Sequence, residues 1–396
     1  MSIGLEVLLV IIKAALAMGM LLHMAALTIW VERKGAAMIQ DRIGANRAAI
    51  FGFDLAGILN TLVADPVKAL FKEDFVPKGV SQIMHSLGPF LAVFPVLVSF
   101  AVIPVGPSLF IGGQEIKLQS ADLNVGILFV FAMGSLAVYG VALAGWVSKN
   151  KFSLFGGLRA MAQMISYEIT MGISLVGLLI AYQTLDLQKI IEAQSGTVLG
   201  VLPAWGIFLS PLGFIIFFIS MMAETKRSPF DLPESESELV AGYVTEYSGM
   251  KFLLFWLGEF AEIAVASSLF VLLFFGGWQL PYFDIRQIPS DFWGLLPQWF
   301  NEVNFQWAPL IGTAIFGAKV SFFCVLQVTI RWTLPRFRYD QLMALCWKIM
   351  LPISLFNVAF TAIVVLSGAS LALANLILFA LIVVVLAGSR KTVTVH

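Results

Sequence analysis

Glutamates buried inside apolar runs are the residues of this 396-residue sequence best suited to chemistry. Glu168, in the stretch RAMAQMISYE, lies about ten residues inside a long apolar segment. A charge at that depth costs on the order of 3 kcal/mol. Holding a glutamic acid neutral at pH 7 against its ordinary titration costs a comparable roughly 3.7 kcal/mol. That near-balance is what a proton relay needs; a neutral acid bonded to a neighbouring helix is the structural alternative. Glu259 and Glu262 stand three residues apart in another apolar segment, on one helical face. Two nearby carboxylates resist joint ionisation, so such a pair tends to hold a proton. Packing against Lys319 or Lys13, both inside apolar segments, is the other use for them. The loop AETKRSPFDLPESESELV, from Ala223 to Val240, gathers Glu224, Asp231, Glu234, Glu236 and Glu238, with Glu246 beyond. Glu224 abuts a helix end, and Pro229 and Pro233 stiffen the turn. Acids reaching from membrane to water in this way suit a proton funnel, although an acidic loop is more often only a solvated face. A basic set comprises Glu32, Arg33 and Lys34, then Arg42 and Arg47, and Arg336, Arg338 and Asp340 in RFRYDQLM. Arginines beside carboxylates at a membrane surface bind lipid phosphate, cap helices or dock a partner.

The elements that must position these groups are membrane helices. The chain is 59% hydrophobic and 12% charged, where a soluble domain is about one-quarter charged. Nine apolar segments are long enough to span a bilayer, at about 7–30, 86–105, 123–147, 158–183, 205–223, 252–276, 309–332, 348–367 and 370–388. The last two are split only by Ser367 to Ser370, forming either a hairpin or one broken segment. The first exceeds a signal-peptide core and is expected to be retained. Of the 24 Lys and Arg, Lys13 and Lys319 lie within helices, and only Lys117, Lys189 and Arg286 fall on one side; the other 19 share the opposite side. The positive-inside rule then places the loops at 31–85, 148–157, 224–251 and 333–347, and the tail with Arg390 and Lys391, in the cytoplasm, with the N-terminus periplasmic. Between Asp54 and Lys72, Asp54, Thr61, Asp65, Lys68 and Lys72 share one helical face, the pattern of a helix lying in the interface plane. Pro66 should kink or break it and turn Asp65 away from helix. The segments 184–204 and 277–308 read as interfacial loops.

The expected fold is therefore an all-α integral membrane protein: about nine transmembrane helices and one interfacial amphipathic helix in a single membrane domain, 1–396. Its two cysteines, Cys324 and Cys346, and three histidines, His23, His85 and His396, form no metal-ligand pattern. No phosphate-binding glycine motif is present, and no internal repeat is evident.

The segments ERKGAAMIQDRIGANR, ADPVKALFKED, SLAVYG with GW after it, RAMAQMISYE, AETKRSPFDLPESESELV with Glu246 and Tyr247 beyond, and RFRYDQLM with Trp347 and Lys348 carry a resemblance. Together, from about Thr28 to Leu355, they resemble the H-subunit (chain 1) family of NADH-quinone oxidoreductase, respiratory complex I. The loop string is the most specific of them and ISYE alone the least. The resemblance implies a membrane component of a proton-translocating enzyme that contributes to the chamber where quinone, the substrate, is reduced. It implies that no redox centre belongs to this chain and that FMN and iron–sulfur clusters sit in partner subunits. The implied partners are the other membrane and peripheral subunits, above all the cluster-bearing ones, together with quinone and lipid but no nucleic acid.

By motif match, the resemblance puts Glu168, Glu224 and Glu259 on a buried proton path and Glu234, Glu236, Glu238 and Glu246 among the loop acids, Glu246 also serving the path. Arg33, Asp65, Arg227, Asp231, Arg336, Arg338 and Asp340 fall at the chamber. Glu32, Lys68, Lys72, Glu262 and Lys319 are further candidates on their chemistry, Glu262 matching no acid of the family. Ala45 stands where the family usually has proline and Pro66 where it usually has alanine. Residues 1–368 then form an eight-helix core, and 369–396 add a further helix and a basic tail. A relative served by ferredoxin or F420 or a hydrogenase, a stand-alone antiporter, and a purely structural anchor are the alternatives.

Overall fold

The computed structural model describes residues 3–46, 48, 57–111, 114–233, 236–282 and 307–389. Hydrocarbon offers backbone groups no partner, so each apolar run must satisfy its own N–H and C=O groups as a helix. The chain does this through α1 (Ile3–Ile39), α2 (Asp65–Phe71), α3 (Gln82–Phe100), α4 (Gly126–Val147), α5 (Lys151–Tyr182) and α6 (Leu187–Ala193). There follow α7 (Gly206–Leu209), α8 (Pro211–Glu224), α9 (Glu236–Leu239), α10 (Gly249–Phe274), α11 (Trp307–Thr333), α12 (Tyr339–Ala344), α13 (Leu351–Leu366) and α14 (Leu371–Ser389). A π-helical turn, Leu345–Met350, joins α12 to α13. Two short hairpins, Leu109–Ile111 with Gln114–Ile116 and Thr197–Val198 with Leu202–Pro203, are the described strands. Among the described residues, seven helices are long and apolar enough to cross a membrane, and α8 and α14 are shorter apolar ones.

The bundle is organised around α10. Phe260, Phe270 and Phe274 are fully buried on it. Phe217 of α8 stacks on Phe270 with ring centroids 5.8 Å apart, and Phe323 of α11 meets the same ring edge-on at 4.9 Å. Elsewhere glycine lets backbones touch, as small residues do between membrane helices. A Cβ on Gly140 of α4 would collide with the Leu91–Ala92 backbone of α3.

Three sequence expectations change. The segment at 205–223 is two helices, because Pro211 has no N–H to donate and starts α8 afresh after Ser210. The carbonyl of Leu209 freed at this break accepts from Asn375 Nδ2 of α14 at 2.6 Å. That contact folds α14 back along α7 and α8, so the last two segments form a hairpin. Asp65 is not turned away from helix: its φ is −68° and ψ −47°. A π-turn over Asn60–Ala64, closed by Asp65 N on Asn60 O, widens the coil just before the Pro66 ring. Finally, 184–204 is more than loop: Asp186 caps α6 through Gln188 N, and the second hairpin follows.

Replacing Gly140 with leucine should overpack the α3–α4 crossing and destabilise the protein by about 1–3 kcal/mol or more. Gly172→Ala on α5, with open space around it, should leave it unchanged. Thermal unfolding in mild detergent distinguishes the two; equal midpoints would refute the close approach.

Candidate functional site

Two cavities lie on either side of one turn of α10. The larger, about 530 Å3, opens at the basic end of the bundle between α1, α2 and α10. Glu32 and Arg33 of α1, Asp65, Lys68 and Lys72 from α2 and its end, Arg227, Glu259 and Arg331 line its polar side; Phe252, Leu253, Phe255 and Trp256 line its apolar side. Most of its charges are paired, in two groups. Arg33 bonds Asp65 and lies over the Trp256 ring at 4.8 Å. Glu32 takes Arg331 on one oxygen and approaches Arg227 at 3.6 Å on the other. Arg227 reaches Glu259 at 3.4 Å, with its guanidinium 4.2 Å from the Phe260 ring centroid. Tyr243 donates its hydroxyl to Glu259 Oε1 at 2.5 Å. A cavity half apolar and half arginine–carboxylate suits an amphiphile whose polar head accepts hydrogen bonds and takes up charge.

The smaller cavity, about 70 Å3, is lined by α3, α4, α5, α8 and α10 and has room for a few waters. Glu168, Glu224 and Glu262 all line it, among apolar neighbours such as Val130, Phe217 and Leu269. Ser135 of α4 donates to Glu168. Lys226 pairs with Glu262 at 3.6 Å and is itself buried. Glu259 and Glu262, about 4.5 Å apart along the α10 axis, therefore join the two spaces. The loop after α8 is folded inward to supply the cations. Gln163 of α5, fully buried, donates to Ala223 O at 2.9 Å and Phe230 O at 2.8 Å. Lys226 adopts a left-handed φ of 52°, and its neighbour Arg227 serves the other cavity. Arg336 closes the loop from outside on Asp231 at 2.7 Å, and Pro229 O accepts from Phe337 N at 3.1 Å. Burial pushes the Asp231 carboxyl up to about 6, against the pull of Arg336.

A profile of the NADH dehydrogenase family matches residues 12–362. The chain belongs to the NADH dehydrogenase family. It is 45% identical over 349 residues to the NADH-quinone oxidoreductase H subunit numbered 2 of Geobacter sulfurreducens, covering 88% of this chain and 94% of the relative. The H subunit numbered 1 of Geobacter metallireducens is 43% identical over 359 residues, covering 91% and 97%. The H subunit numbered 1 of Cytophaga hutchinsonii is 42% identical over 345 residues, covering 87% and 93%. The resemblance read from the motifs thus holds over most of the chain, and α14 lies beyond the residues matched by the NADH dehydrogenase profile.

The motif residues of this NADH dehydrogenase family member divide into those that converge and those that do not. Glu32, Arg33, Asp65, Lys68, Lys72, Arg227 and Glu259 share the larger cavity; Glu168, Glu224 and Glu262 share the smaller. Glu246 stands apart from both: its carboxylate accepts from Asn150 at 2.8 Å. Lys319 is no partner of the Glu259 pair, as packing alone had suggested. Its ammonium caps Phe275, Gly277 and Gln279 carbonyls beyond the C-terminal end of α10, at 2.6–3.0 Å. Glu238 pairs with the partly exposed Arg159, and Arg338 pairs with Asp340, a largely exposed pair. Arg47, Asp54, Glu234, Arg286, Arg390, Lys391 and the side chain of Glu236 lie outside the described residues. Sequence reasoning gave no role to Lys226, Tyr243, Trp256, Arg331, Ser135 or Gln163. Lys226 sits inside the most specific motif, which was signal enough; the others follow only from packing.

Asp231 should titrate near pH 6 rather than near its ordinary 3.8. The folded chain then holds its proton where the unfolded chain has lost it, so stability falls as pH rises from about 4 to 6. Infrared titration of the carboxyl band lost in Asp231→Asn measures this. A midpoint near 4 would refute the burial.

Proposed function

We propose that this chain is the membrane subunit of an NADH-quinone oxidoreductase in which quinone reduction is coupled to proton translocation. The observation that carries the reading is the shared turn of α10: Glu259 lines an amphiphile-sized cavity, and Glu262, three residues on, lines a smaller cavity with Glu224 and Glu168. Family membership and the H-subunit names of the relatives support it.

The quinone ring sits against Trp256 and Phe252, with its carbonyls toward the arginine–carboxylate chain. Reduction takes two electrons and two protons per quinone. A cluster-bearing partner subunit, fed from NADH, would supply the electrons, and water at the open mouth of the larger cavity would supply the protons. Negative charge arriving in the partly dry chamber acts strongly on nearby ions. It draws on Arg33 and Arg227, and any loosening of Arg227 from Glu259 changes the field at Glu262. Glu168, Glu224 and Glu262 line the smaller cavity, and the ammonium of Lys226 is paired with Glu262. Buried charge without a partner is costly, so the surplus carboxyls hold protons, and a proton shifts among Glu262, Glu224 and Glu168 as the field changes. The basic end faces the cytoplasm, by the lysine and arginine imbalance, and both the exposed Arg338–Asp340 pair and Glu238 lie where a peripheral partner docks.

Glu168→Gln keeps the Ser135 contact and removes the titrating proton. In the whole complex reconstituted in liposomes, NADH-driven quinone reduction and acidification should both fall about tenfold or more, a barrier change of roughly 1.4 kcal/mol. NADH oxidation by a soluble acceptor should be unchanged. Full quinone turnover with full pumping in that variant would refute the relay.

A further inference from the structure

The larger cavity owes its width to how α2, which forms one wall, is fastened to α10, which forms the other. That fastening lies outside the cavity, in groups to which neither the motifs nor the relay gives a role. We propose that Lys251, His85 and Asp74 form a latch that positions the α2 wall against α10 and so sets the quinone affinity of the chamber. The inference rests on the chamber reading above.

The geometry is specific. Lys251, in the first turn of α10, donates to Asp74 Oδ2 at 3.0 Å, just past the end of α2. Its other contact is His85 Nδ1 of α3 at 3.4 Å. His85 is fully buried, and its Nε2 lies 3.2 Å from the carbonyl oxygen of Glu246. A carbonyl only accepts, so the proton is on Nε2, the ring is neutral, and the Nδ1 lone pair faces the Lys251 ammonium. Tyr247 stacks on the ring with centroids 4.1 Å apart and planes 9° from parallel, which fixes its rotation. The side chain of Lys251 is only 12% exposed, so its charge depends on these two acceptors.

Two further contacts bring the same pieces together. Ser248 Oγ donates to Glu73 O at 2.9 Å. Gly249, with φ of +56°, lies so close to the chain end of α2 that a Cβ there would stand 3.2 Å from Lys72 O. Lys68, Lys72 and Gly249 all line the cavity. A loosened latch therefore moves lining residues without touching the acids on α10.

The test uses the whole complex. Asp74→Asn and Lys251→Met should each raise the KM for a short-chain quinone about fivefold or more while kcat stays within about twofold. The charge-exchanged pair Asp74→Lys with Lys251→Asp should bring KM back to within about twofold of the parent. In parallel, nitroxide labels on Phe71→Cys and Met250→Cys report the α2–α10 distance by pulsed electron resonance. That distribution should broaden in Asp74→Asn and narrow again in the exchanged pair. Unchanged KM and unchanged distances in Asp74→Asn overturn the latch, as does an exchanged pair no better than the single variants. If Lys251→Met fails to assemble, Asp74→Asn at its half-exposed position decides alone. Quinone reduction without saturation in the parent complex would overturn the chamber reading instead, and the label distances would still decide the latch.

Discussion

A carboxylate taken out of water must find a cation, a donor or a proton, and in this chain that requirement falls most heavily on one turn of α10. Glu259 and Glu262 are one turn apart, yet each faces a different space and has its own cation. The two cations are sequence neighbours, Lys226 and Arg227, separated by the left-handed turn at Lys226. The loop that carries them could not stay in water and also serve both acids. It is drawn into the bundle and held there by Gln163 from one side and the Arg336–Asp231 pair from the other.

This arrangement explains the division of the acids. Those whose neighbours could be recruited from the infolded loop are buried: Glu224, Glu259 and, largely, Glu262. Glu238 stays with Arg159 at the surface, where solvent screens the pair and little stability rides on it. Lys319 meets the same demand differently. It answers the open carbonyls past the C-terminal end of α10, the end at which a cation is favoured.

The membrane helices were legible in the sequence because apolar length alone specifies them, and the convergent acids because ionisable residues in apolar runs are rare. The helix break at Ser210 was not, since hydropathy runs straight through Pro211 and the compensating donor, Asn375, lies far along the chain. The partners of Glu259 and Glu262 are not legible for a related reason. Lys13 and Lys319 were the visible intramembrane cations, whereas the actual ones come from a loop that composition reads as solvated. Tyr243, Trp256 and Gln163 carry no local pattern that separates a site residue from packing. Asp65 was read against Pro66 by local rules, and the π-turn before it overrode them.

The proposed coupling of the two cavities depends on the buried carboxyls changing protonation when charge changes in the larger one. Redox-induced infrared difference spectroscopy on the whole complex, with Glu224→Gln and Glu262→Gln as controls, observes this directly. Quinone reduction should produce carboxyl bands that disappear in one or the other variant. A difference spectrum in which no carboxyl band depends on either residue would contradict it and leave the bundle a scaffold.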